Sequence, residues 1–450
     1  MTALKLVAGR TFRSLGIRNY RLYFMGQIVS FSGTWMQLVA QMWLVFRLTG
    51  SGVALGVTTA LQFLPMLLVG AWGGVVADRF DKRRLLMATQ ATAASLALVL
   101  AVLTATGIVR LWMIYVLALL LGCVTVVDNP TRQSFVIEMV GPDEISNAVG
   151  LNSAVFTSAR VVGPAIAGVL IATFDIVPCF FVNAVSYLAV IAALWAMDPE
   201  ELHTSPRAPR GKGQLREGLR YVWSTRELRI PLLLMAVVGT LAFNFRVLLP
   251  VMADETFGGG AGTYGVLSAV MGAGTVIGAL VVASRRRPTR PMLVGSALAY
   301  GALIVIAGLM PTLAFELAVL VPMGAAGIGF VSTANSMLQL NSSDAMRGRV
   351  MALYAVVFLG STPIGSPLIG WIAERFGVRA GFLVGGVATL IAAAIALWTL
   401  GRGKLRALAT RVSVRTPDDA PFSAPAEGSF SAPAEPAAGP AAGGDRRGAA

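Results

Sequence analysis

Twelve stretches of about twenty apolar residues, separated by short polar turns, constrain this chain more than any single motif does. They fall near residues 22–46, 53–77, 85–106, 111–128, 147–172, 176–197, 230–252, 263–284, 291–310, 313–340, 350–373 and 379–400. Crossing roughly 30 Å of hydrocarbon takes about 20 apolar residues in a helix, so each stretch can span a bilayer. In lipid a segment must satisfy its own backbone N–H and C=O groups, which leaves helices or a closed barrel, and these lengths exceed a barrel strand. With 56% hydrophobic and 13% charged residues, the 450-residue chain has more apolar length than a water-soluble core would use. An all-α polytopic membrane protein with 12 transmembrane helices is predicted, with the lipid bilayer as its main solvent.

Assigning alternate loops to opposite sides places nearly all of the 36 cations on one side. The exceptions are Arg47, Arg110, Arg375 and Arg379 in the opposite loops, and Arg160 and Arg246 inside predicted spans. The positive-inside rule then puts both termini in the cytoplasm of a multi-pass cell-membrane protein. This bias accounts for the net charge of +14, so the charge does not point to a nucleic-acid partner. Cys123 and Cys179 lie in apolar segments far apart in sequence, which fits packing rather than a metal or redox motif, and His203 sits in a polar loop among prolines. No cofactor and no metal site are expected, and a monomer is expected.

The hydrophobicity divides the chain into a cytoplasmic segment 1–21, a six-helix bundle at 22–197, a basic linker at 198–229, a second bundle at 230–400 and a disordered tail at 401–450. The tail repeats Phe422-Ser-Ala-Pro-Ala-Glu427 as Phe430-Ser-Ala-Pro-Ala-Glu435, a low-complexity pattern that cannot bury a core. An offset of 202 residues aligns Gly163, Ile166, Gly168 and Phe174 with Gly365, Leu368, Gly370 and Phe376. An offset of 206 aligns Val75-Val76-Ala77-Asp78-Arg79 with Val281-Val282-Ala283-Ser284-Arg285. Two offsets this close predict parallel duplication of a six-helix unit, and so two pseudo-symmetric bundles.

Between the second and third spans the chain reads Gly74-Val-Val-Ala-Asp78-Arg79-Phe-Asp81-Lys82-Arg83-Arg84. Hydrocarbon disfavours so many charges, so this is a tight aqueous turn. Asp78, at a helix end, can accept from backbone N–H groups at the start of a neighbouring helix, and Arg79 and Arg83 can pair with Asp128 at the end of the fourth span. The cluster otherwise reads as a merely topogenic basic loop. At these residues, over about 10–400, the chain resembles the major facilitator superfamily, in its enterobactin-exporter-like and macrolide-efflux-like branch. That family's loop signature is matched by Gly74, Asp78, Arg79, Lys82 and Arg83, with Asp81 where its second glycine stands. Pro130-Thr-Arg132-Gln133-Ser-Phe135, Asn147-Ala-Val-Gly-Leu-Asn152 and Ala159-Arg160-Val-Val-Gly163-Pro164-Ala-Ile-Ala-Gly168 are similar to the branch's loop and fifth span. The resemblance implies a secondary transporter in which the Gly74, Asp78, Arg79, Lys82, Arg83 and Asp128 cluster locks the outward-facing state.

The fifth span carries Ala159, Gly163 and Ala167 at spacings of four, a stripe that admits a second helix closely, with Pro164 to bend it. With Gly168, it also resembles the fifth-span signature of antiporters that export, although generic packing explains the same stripe. Gly365 and Gly370 are the corresponding packing candidates in the eleventh span.

Gln27, Ser30, Thr34, Gln37 and Gln41 share one face of the first span, and Ser332, Asn335, Ser336 and Gln339 share one face of the tenth. Lipid would reject both faces. With Thr240, Asn244, Asn152 and Arg160 they are expected either to line one water-filled pathway for a small-molecule substrate or to bond helices to each other. Arg160, near mid-membrane, is expected to meet either an anionic substrate such as a catecholate siderophore or a structural ion-pair partner. Arg246 is expected to snorkel outward or meet Asp254 or Glu255.

No G-x-x-x-x-G-K-[ST] loop is present, which disfavours direct ATP drive, and no H-E-x-x-H, G-x-S-x-G or paired intramembrane carboxylates point to an enzyme. Proton antiport is the expected coupling, with Asp128, Asp175 and Glu316 as the acids near membrane depth. The expected function is export of a small amphipathic molecule (siderophore, drug or secondary metabolite) by alternating access. An uptake transporter of the same fold and a transport-inactive scaffold or sensor are the alternatives.

Overall fold

The computed structural model describes residues 12–203, 214–284 and 288–413. Most of the expected tail, 414–450, and part of the linker, 204–213, lie outside the described residues. Residues Met1–Thr399 form one compact unit and Leu400–Ala450 a second.

The described residues contain helices and no strands. They are α1 (Arg18–Thr49), α2 (Gly52–Arg79), α3 (Lys82–Ala105), α4 (Leu111–Val140), α5 (Ile145–Phe174), α6 (Val177–Trp195), α7 (Gln214–Ser224), α8 (Arg226–Leu241), α9 (Phe245–Val251), α10 (Gly260–Ala283), α11 (Arg290–Leu309), α12 (Leu313–Leu340), α13 (Asp344–Gly360), α14 (Thr362–Phe376) and α15 (Val378–Ser413). Twelve segments are long and apolar enough to cross a membrane; α8 and α9 together make the seventh, and α13 and α14 the eleventh. The even number of crossings brings Arg18 and Thr399 to one face, where Arg79, Lys82, Arg229, Arg290 and Arg347 also lie; it is called the basic face below.

Two spans are broken for local reasons. Between α8 and α9, residues Ala242–Asn244 leave the helix, and Asn244 holds the gap by donating to Thr240 O (2.8 Å) and accepting from Ser366 Oγ (2.9 Å). Between α13 and α14, Ser361 interrupts the run and Pro363 opens the next helix at a position where its missing N–H costs nothing.

The two sets of six spans pack alike. In the first, α2 lies on α4 with Gly122 against Gln62 and Pro65; in the second, α10 lies on α12 with Gly274 against Val321 and Gly324 against Met271. The halves meet through α2 on α14 and α5 on α10, two contacts that exchange when the halves are interchanged. Apolar side chains such as Leu68, Val169, Val185 and Leu280 are 63–69% exposed on the outside, while Gln27, Gln37, Gln41, Gln90, Asp128 and Asn183 are buried inside. Polar groups inward and apolar groups outward is the arrangement lipid imposes.

Candidate functional site

Where the halves meet, a central cavity of about 180 Å³ is lined by Trp35, Leu38 and Val39 of α1, Arg160 and Pro164 of α5, and Phe243, Phe245, Arg246 and Leu249 around the α8–α9 break. The second half adds Tyr264, Ser268 and Met271 from α10, Tyr300 from α11, Gly327 from α12 and Phe358 from α13. At roughly 30 Å³ per water in the liquid, this is room for a handful of waters or one substituted ring.

Two guanidiniums face this space. The Arg160 guanidinium carbon lies 5.0 Å from the Trp35 ring centroid, and that of Arg246 lies 5.7 Å from the same ring and 5.2 Å from Phe63. Among the described residues, neither has a carboxylate within ion-pair distance. A central arginine costs about 2.5–3.5 kcal/mol on insertion scales, and a cation–π contact returns about 0.5–2 kcal/mol, so the aromatic shell offsets only part of two such charges. The remaining offset is left to water or to a ligand. The Tyr300 hydroxyl, buried on the same wall, has no hydrogen-bond partner among the described residues.

Arg246 therefore does not snorkel outward or reach Asp254 or Glu255, contrary to the sequence expectation. Counting 100° per residue from Asn244 assumes one unbroken helix; the chain leaves the helix at Ala242–Asn244 and restarts at Phe245, which resets the phase. Trp35 and Tyr300 were also missed, since an aromatic in an apolar span gives no sign of which way it faces.

The polar face of α1 takes the other course left open in the sequence. Gln37 accepts from Asn183 Nδ2 (2.6 Å), Thr34 bonds Ser30 O (2.8 Å) and lies 3.4 Å from the Tyr187 hydroxyl, and Gln41 is buried, so this face is bonded to α6 and its neighbours rather than lining the cavity. Asn244 is buried in the break. Asn152 and Ser336 are half-buried away from the cavity lining, and Gln339 is exposed near the basic face, donating to Asn335 (2.6 Å). Of the expected pathway residues, Arg160 alone lines the cavity.

The cationic turn is bound mainly within the first half. Lys82 pairs with Glu138 of α4, and Arg83 donates to Leu194 O (2.6 Å) and Trp195 O (2.9 Å) of α6. Asp128 does not pair with Arg79 or Arg83. It binds Arg132 one turn along and accepts from Thr89 (2.8 Å) and Gln90 (2.7 Å), because a carboxylate at this depth is served by the groups facing it across α3 and α4. Gly74 and Asp78 are half-buried in the last turns of α2, and Arg79 is exposed.

Closure lies at the opposite face. A Cβ on Gly52 would sit 2.6 Å from Gly370 O, one on Gly56 2.7 Å from Pro367 Cα, and one on Gly265 2.6 Å from Gly168 Cα. Gly163 meets α1 at Trp35 Cβ (2.5 Å), and Gly365 is pressed on Thr240 O within the second half. Glu374, at the end of α14, accepts from Ser51 Oγ and from Val53 N (3.0 Å), so it caps the first turn of α2 across the halves. Toward the basic face, a Cβ on Gly150 would meet nothing within 4 Å.

Asp175 is exposed at the opposite face and pairs with Arg47 (2.7 Å). Glu316 is fully buried, and neither of its carboxyl oxygens has a hydrogen-bond partner among the described residues. No group of three or more His, Cys, Asp or Glu able to hold a metal ion occurs among the described residues.

Residues 10–420 match the family described as "Transmembrane secretion effector". The staphyloferrin A transporter of Staphylococcus aureus is 26% identical over 380 residues, covering 82% of this chain and 93% of that protein. The multidrug efflux pump Tap of Mycobacterium tuberculosis is 26% identical over 80% of this chain and 88% of its own length. Among solved structures, a bacterial homolog of the human lysosomal transporter Spinster in an inward-facing, unoccupied conformation superposes with a TM-score of 0.69 at 15% identity, covering 84% of this chain and 95% of that one. The chain therefore belongs to the transmembrane secretion effectors of the major facilitator superfamily and is a multi-pass membrane transporter.

Proposed function

We propose that this transporter exports a small amphipathic molecule from the cytoplasm by alternating access, driven by proton antiport, with both termini cytoplasmic. The observation that carries the reading is the central cavity between the halves, shut at the face opposite the basic one by glycine contacts and the Glu374 cap. On the positive-inside rule the basic face is cytoplasmic, so closure at the opposite face fits an inward-facing arrangement, like that named for the Spinster homolog. The similarity to the multidrug efflux pump Tap favours export over uptake. Substrate enters from the cytoplasm, the halves rock, and the opposite face opens. The Gly74, Asp78, Arg79, Lys82 and Arg83 turn holds the cytoplasmic side closed in the other state, and Glu316 is the carboxyl that takes up and releases the proton.

Inverted membrane vesicles made acid inside test this directly, using labelled staphyloferrin A and a labelled macrolide as probes. Accumulation of at least one probe, abolished by an uncoupler, is expected. Accumulation that survives the uncoupler would contradict antiport, and accumulation confined to right-side-out vesicles would contradict export.

A further inference from the structure

We infer that Arg160 and Arg246 together form one anion site, and that the transported molecule is a flat or aromatic organic anion carrying two negative charges close together. This rests on the export reading and narrows it to a substrate class. Each half contributes one guanidinium: Arg160 comes from α5 and Arg246 from α9, and both lie against the ring of Trp35 at 5.0 and 5.7 Å. Planar guanidiniums match carboxylate oxygens two at a time, and two of them call for two acidic groups. The cavity wall carries no Asp or Glu, so it offers no carboxylate to neutralise the arginines or to pair with a cationic substrate.

The rest of the wall fits the remainder of such a molecule. Trp35, Phe243 and Phe358 make the lining aromatic, and the Tyr300 hydroxyl, without a hydrogen-bond partner among the described residues, offers a donor to a third oxygen. The like charges of Arg160 and Arg246 stand on opposite halves, so a dianion between them replaces repulsion across the interface with attraction to a shared centre. A monoanion leaves one charge uncompensated, and a cation adds a third.

Binding is measured calorimetrically on the purified full chain in nanodiscs at fixed ionic strength. The probes share one ring and differ in charge: phthalate, benzoate, benzamide and benzyltrimethylammonium, with sulfate as a dianion lacking a ring. Phthalate is expected to bind at least tenfold tighter than benzoate and sulfate, with benzamide and the cation weaker still. Arg160→Gln and Arg246→Gln should each weaken phthalate at least tenfold and erase its advantage over benzoate. Arg160→Lys and Arg246→Lys, which keep the charge and show that the site still folds, should retain part of that advantage. Benzyltrimethylammonium binding as tightly as phthalate, phthalate affinity unchanged in both glutamine variants, or no measurable phthalate binding would each overturn the assignment. Sulfate equalling phthalate would overturn its aromatic part. A chain shown to export only cations would sink this inference and leave export standing, whereas phthalate binding through both arginines without any export would do the reverse.

Discussion

The carboxylate of Glu374 accepts the backbone N–H of Val53 at 3.0 Å, so the last turn of α14 in the second half caps the first turn of α2 in the first. A charged acceptor at a helix N-terminus is stabilised by both the bond and the helix dipole, and a hydrogen bond to a charged group contributes about 1.5–3 kcal/mol. Glu374→Ala should therefore favour opening of the opposite face by roughly tenfold, about 1.4 kcal/mol. The check is the rate at which a membrane-impermeant maleimide, added from that face, labels Ser268→Cys in a background lacking Cys123 and Cys179. An unchanged rate would mean that the cap does not hold the face shut.

A glycine packed between the halves should tolerate substitution less well than one facing open space. Gly265→Ala forces a Cβ to within 2.6 Å of Gly168 Cα, whereas the same change at Gly150 meets nothing within 4 Å. Overpacking of this kind costs about 1–3 kcal/mol, so Gly265→Ala should lower the transport rate about tenfold at equal membrane abundance and Gly150→Ala should leave it unchanged. Equal effects from the two variants would mean that the Gly265 contact between the halves is not what holds the opposite face shut.

This contrast also marks how far the sequence could be read. The twelve spans were legible because hydropathy is a local property of a helix. Facing was not. The α1 stripe from Gln27 to Gln41 correctly avoided lipid, yet whether its partner was water or Asn183 and Tyr187 depended on where α6 packs, 130 residues away or more. Arg246 was misplaced for a different reason, since the break at Ala242–Asn244 ends the regular 100° rotation on which a helical wheel depends.

Asp128 and Arg132 form a buried ion pair that holds Gln27 of α1, Thr89 and Gln90 of α3 to α4. Removing one partner of a buried pair strands the other charge and costs about 3–5 kcal/mol, whereas replacing both is close to neutral. Asp128→Leu should lower the melting temperature in detergent by several degrees, and Asp128→Leu combined with Arg132→Met should recover more than half of the loss. If the double variant melts below the single one, the pair is not the unit that stabilises this region.

Of the three acids near membrane depth, Asp128 and Asp175 are committed to Arg132 and Arg47, and Glu316 alone has uncommitted carboxyl oxygens among the described residues. Glu316→Gln should abolish accumulation driven by a pH gradient while sparing substrate exchange without a gradient, which needs no net proton movement. Gradient-driven accumulation at the wild-type level would exclude Glu316 as the proton carrier.

The central claim is that the two halves rock so that one face opens as the other closes, and electron–electron distance measurements on paired spin labels test it most directly. Labels at Thr173 and Gly259 report the opposite face, and labels at Val149 and Leu340 report the basic face. Without a gradient, the account predicts a short distance for the first pair and a long one for the second, and under a proton gradient with substrate a new population in which the first lengthens as the second shortens. Both distances staying fixed in every condition, or lengthening together, would contradict it.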